Sequence, residues 1–116
     1  MKSKFTTVEF PVFSDFIVHI EITSDIVKSI KKYPGVADLA EEADNEADAV
    51  TVYDNGQICF IFLHHNVSVG TIAHEAFHVI EHMMKRFGVD LEGEAVAYHL
   101  GYLVDKIFRF IRGKRV

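Results

Sequence analysis

From Ser68 onward the chain reads as two long amphipathic helices divided only around Gly88, whereas most of what precedes it clusters or alternates β-branched and aromatic residues. This division limits the fold more than any other feature. Strands gathered in one part of a chain and helices in another give an α+β arrangement, because each element must bury its apolar face against a neighbour. The 116 residues supply one core's worth of chain, so residues 1–116 are expected to form a single domain.

Within the first half, residues 5–13 (FTTVEFPVF) and 16–22 (FIVHIEI) read as strands. Pro11 argues that the first lies at an edge or breaks there, since proline donates no ladder hydrogen bond. Ser24 or Asp25 can cap a short helix over 24–33 that ends before Pro34-Gly35. Residues 38–48 carry acids and no base, which predicts a solvated loop or loose helix. A hairpin follows: residues 49–53 (AVTVY) lead into Asp54-Asn55-Gly56, and 57–63 (QICFIFL) lead out, with Asn-Gly suited to the positive φ angles of a type I′ turn. Ser68 then caps a helix to about Phe87, stopped by Gly88, and a second runs from near Asp90 to about Arg112, stopped by Gly113.

Composition narrows the function classes. Lys and Arg number 12 against 17 Asp and Glu, a formal charge of −5, which disfavours a dedicated nucleic-acid binder. Arg109, Arg112, Lys114 and Arg115 cluster at the end of the last helix, where complementing the helix dipole accounts for them. The one cysteine, Cys59, lies in an apolar run and has no internal disulfide partner, so it reads as a buried thiol in a reducing compartment. Thr6, Thr7 and Glu9 break the N-terminal stretch, so no uninterrupted apolar h-region of a signal peptide is expected, and no segment approaches the ~18 apolar residues of a membrane helix. A cytoplasmic protein without membrane contact is expected.

The first long helix contains His74-Glu75-Ala76-Phe77-His78, an H-E-x-x-H. Residues i and i+4 differ by only ~40° around a helix, so both imidazoles can reach one cation from the same face. Neutral imidazole is a good ligand for Zn²⁺. Glu75, turned ~100° from His74, can meet a water beside the ion without taking a ligand position, and can act as its general base. The motif sits on a helix whose apolar face is formed by Ile72, Ala76, Val79, Ile80, Met83 and Phe87.

Two histidines leave a catalytic zinc one protein ligand short. A third histidine six residues after His78 is absent, since that position is Met84. Cys59 lacks a glycine-flanked ligand motif, and His82 stands two turns from His74, ~12 Å along the helix. The next helix offers two glutamates as candidates. Glu94 shares a stripe with Ala97, Tyr98 and Gly101, whose small members let two helices approach; Glu92, the competitor, points about 160° away.

The stretch TIAHEAFHVIEH (71–82) followed by GEAVAYHLGYLVDKI (93–107) resembles small metallopeptidases encoded by phages and prophages, which are similar to minigluzincins. The resemblance covers about residues 66–107. It implies a zincin-like fold, with a small, mostly antiparallel sheet followed by an active-site helix and an antiparallel C-terminal helix. By the same resemblance His74, His78 and Glu94 are zinc ligands, Glu75 is the catalytic glutamate, Zn²⁺ is the cofactor and a peptide or protein is the substrate. Larger gluzincins often carry an acid four residues after the ligand glutamate; here Tyr98 stands there.

Tyr98, His99 and Tyr102 are candidates to stabilise a developing oxyanion, weighed against simple helix packing. His64 and His65 end the strand before the helix, at the cleft mouth or in a solvated loop. The expected function is zinc-dependent hydrolysis of peptide bonds. The alternative is a zinc-stabilised binding or regulatory protein that keeps the ion and cleaves nothing.

Overall fold

The computed structural model describes residues 3–13, 15–43, 47–54, 58–91 and 93–113. Strands β1 (Lys4–Glu9) and β2 (Ile17–Thr23) precede helix α1 (Ile26–Lys31) and a 3-10 helix (Ala37–Glu42). Strands β3 (Ala49–Asp54) and β4 (Ile58–His64) come next, followed by helices α2 (Val69–Arg86) and α3 (Glu94–Ile111). The fold is α+β.

The four strands form one mixed sheet in the order β1-β2-β4-β3. Its outer pairs are antiparallel, and the central pair β2–β4 is parallel, with Ile20 opposite Ile61. A parallel pair is stable when both faces are covered, and β2 and β4 are buried along nearly their whole length. One face, carrying Val18, Ile20, Ile22, Cys59, Ile61 and Leu63, packs against α2 and α3. On the other, Val52, Phe60 and Phe62 pack against Ile26 and Ile30 of α1 and against Val36 and Ala40. Helix α2 lies over β3, and α3 reaches β1.

The local signals behave as their chemistry requires. Asp25, of the two candidates, caps α1 by accepting from Lys28 N at 3.0 Å. Ser68 Oγ accepts from Thr71 N at 3.1 Å at the start of α2. That helix ends in a Schellman arrangement: Gly88 adopts φ 69°, Gly88 N reaches Lys85 O and Val89 N reaches Met84 O at 2.8 Å. Strands β3 and β4 pair as a hairpin with Asp54 opposite Ile58; the Asn55-Gly56 turn lies outside the described residues.

Two boundaries and one segment differ in detail from the sequence reading. Strand β1 stops at Glu9 rather than Phe13, because Phe10 turns into the core just before Pro11. Helix α3 begins at Glu94 rather than near Asp90, with Gly93 at φ 101° directing the chain into the helix without a side-chain cap. The acidic segment starts as a 3-10 helix, pinned by Val36 and Ala40 against the second core. Among the described residues, no helix is long and apolar enough to cross a membrane.

Candidate metal centre

Helix α2 places His74 and His78 one turn apart, and their Nε2 atoms stand 3.0 Å from each other. The rings are nearly perpendicular, at 87°, with centroids 4.5 Å apart. At this separation two nitrogens either share a proton or, when both are unprotonated, present two lone pairs to one cation. Zinc–nitrogen bonds of about 2.0–2.1 Å let one ion bridge such a pair. The donor set therefore fits a borderline divalent ion. The His74 side chain is 68% exposed, so the pair opens to solvent.

Glu75 points differently. It belongs to the stripe of α2 that includes Ile72 and Val79, and it is buried against β3. Its Oε1 accepts a hydrogen bond from Thr51 Oγ1 at 2.8 Å, while Oε2 lies 3.8 Å from His74 Nε2. One donor atom from each of His74, Glu75 and His78 falls within 4.8 Å of the others, which makes this group the one metal-capable cluster among the described residues.

Strand β3 holds the helix at a second point. Tyr53 Oη donates to the backbone carbonyl of His78 at 3.2 Å, and its ring stacks on His82 with centroids 4.0 Å apart. Burial, helped by the charges of Glu75 and Glu81, pushes the Tyr53 hydroxyl up to about 12, so it stays a donor. His82 is occupied by this stacking and lies outside the donor cluster. A cavity of about 340 Å³ runs along β3, lined by Leu39, Glu42, Ala43, Val50, Thr51, Val52 and Tyr53.

The remaining sequence candidates are placed elsewhere. Glu94 is the first residue of α3, exposed, and outside the donor cluster. There its charge complements the helix N-terminus. Glu92 lies outside the described residues. His99 is buried between the Phe10 and Phe13 rings, and its Nδ1–H donates to Ala95 O at 2.7 Å. Tyr102 Oη donates to Glu9 O at 3.0 Å, at the end of β1. Because β1 and β3 are opposite edges of the sheet, His99 and Tyr102 pack toward the edge away from Thr51. Tyr98 is 57% exposed, with its ring edge-on to His99. His64 Nδ1 accepts from Asn66 N at 3.3 Å as β4 ends. Arg109 pairs with Asp105 at 3.1 Å and Arg112 lies over Phe108, while Lys114 and Arg115 are outside the described residues.

Sequence reasoning missed Thr51 and Tyr53, although strand alternation puts both on the face of β3 turned to α2. It also missed a polar network on the other sheet face. Glu21, fully buried, accepts from Lys32 Nζ at 2.8 Å and from Tyr33 Oη. Since the Tyr33 proton goes to Glu21, its oxygen accepts from His19 Nε2–H at 2.9 Å. The alternation of His19 and Glu21 with Val18, Ile20 and Ile22 was the available signal.

No protein-family model matches this chain, and no curated protein and no solved structure matches it either.

Proposed function

We propose that the chain is a zinc-dependent peptidase with a zincin-like fold. The observation that carries this reading is the convergence of His74 Nε2 and His78 Nε2 at 3.0 Å with the Glu75 carboxylate beside them. His74 and His78 would hold the ion, with Glu94 as the third protein ligand in this proposal. When bound, zinc supplies a Lewis acid that polarises a carbonyl and acidifies water.

The chain's own residues supply the rest of the chemistry. Glu75 Oε2, the oxygen not engaged by Thr51, accepts a proton from the attacking water and returns it to the departing amine nitrogen. The outer edge of β3, an edge strand of the sheet that packs against α2, supplies an extended backbone to which a peptide substrate can pair.

Glu75→Gln separates this reading from a zinc-stabilised binding protein. The amide keeps the shape and still accepts from Thr51, but it takes up no proton. Cleavage of a peptide library is expected to fall by about 100-fold or more while zinc is retained. A variant that cleaves as fast as wild type contradicts the mechanism.

A further inference from the structure

Glu75 occupies an unusual place for a group that must handle a proton. It is 9% exposed on a helix stripe that faces the sheet. A buried carboxylate without a hydrogen-bond donor is costly, and a glutamate has three side-chain torsions to fix. Thr51 Oγ1 meets its Oε1 at 2.8 Å. The threonine is itself held, by its β-branch, which restricts χ1, and by the ladder of β3 on β4, where Thr51 stands opposite Ile61. Two residues on, on the same strand face, Tyr53 bonds His78 O and stacks on His82, which sets the height of α2 against the strand.

From this arrangement we infer that Thr51 is the positioning residue for Glu75: its hydroxyl fixes Oε1 so that Oε2 is presented to the imidazole pair. The inference rests on the peptidase reading and adds to it the edge strand as the element that aims the general base. A misplacement of about 1 Å at a reacting group costs up to 100-fold in rate.

Two variants and two readouts test this. Thr51→Val keeps the shape and removes the hydroxyl, and Thr51→Ser restores a hydroxyl. Kinetics on one peptide are expected to show kcat reduced about 10- to 100-fold in Thr51→Val with KM within about twofold. Thr51→Ser should recover most of kcat, and both variants should keep wild-type zinc content. An unchanged kcat in Thr51→Val, or equal losses in the two variants, overturns the inference. The second readout needs no turnover: a double-mutant cycle of Thr51→Val with Glu75→Ala, followed by urea unfolding of metal-free protein. Coupling is expected to change the unfolding constant by about 5-fold or more, and additive effects overturn the contact. A wild type that binds zinc and cleaves nothing overturns the peptidase reading instead, and the cycle then still decides whether Thr51 holds Glu75.

Discussion

Lys32 Nζ lies 2.8 Å from Glu21 Oε2, pairing a half-exposed cation with a carboxylate that no solvent reaches, on the sheet face opposite the histidine pair. Burial opposes the charge on Glu21, but the hydrogen bonds from Lys32 and Tyr33 outweigh it and hold the carboxyl below its ordinary range. Burial also lowers the neighbouring His19, despite the Glu21 charge. Both groups therefore bind protons more readily in the unfolded chain.

Stability should accordingly fall with acid in two stages. The His19 contribution is complete above its unfolded pKa of 6.5 and declines as pH drops below it; His82, lowered mainly by burial, adds to this window. The Glu21 contribution is complete above 4.5 and is lost below it. Urea midpoints measured from pH 8 to pH 3 are expected to show both declines. A midpoint that stays flat across the whole range contradicts this account of the network.

Glu94 and Glu92 are distinguishable by zinc affinity. If Glu94 is the third ligand, Glu94→Ala should weaken binding by about 100-fold or more, at or beyond the upper end of outer-sphere effects. If it serves only the helix N-terminus, the same change costs about 0.3–1 kcal/mol of stability and leaves affinity alone. Chelator competition on Glu94→Ala and Glu92→Ala gives the answer, with loss in the second variant alone assigning the ligand to Glu92.

Tyr53→Phe removes the bond to His78 O and keeps the ring against His82. The expected cost is about 1 kcal/mol in unfolding free energy. Tyr53→Ala removes the stacked ring as well and should cost about 3 kcal/mol, the lower end for a large aromatic because Tyr53 is only half-buried. Equal effects from the two variants would mean that the ring contributes nothing to seating α2 on β3.

What the sequence disclosed was local. The i, i+4 spacing of His74 and His78, the Ser68 cap and the Gly88 stop each follow from the geometry of a few consecutive residues. The hairpin strands were legible for the same reason, and the α+β class followed from element order. The parallel pairing of β2 with β4 was not legible, because alternation within a strand says nothing about which strand lies beside it. Asp90 resembles a cap, yet the turn through Gly93 delays the helix to Glu94. Thr51 and Glu21 escaped for a shared reason. A polar residue in a strand reads as solvent-facing until its partner is known, and Glu75 and Lys32 come from other elements, α2 and the end of α1.

The most direct measurement of the central claim is zinc stoichiometry. Metal-free protein would be reconstituted with excess zinc, dialysed and assayed by elemental analysis, alongside His74→Ala and His78→Ala. One zinc per chain in wild type is predicted, with the two variants each reduced to roughly a tenth or less, since each loses one of the few ligands of a tetrahedral site. A wild type that retains no zinc, or variants that retain as much as wild type, would contradict a metal centre at the His74–His78 pair.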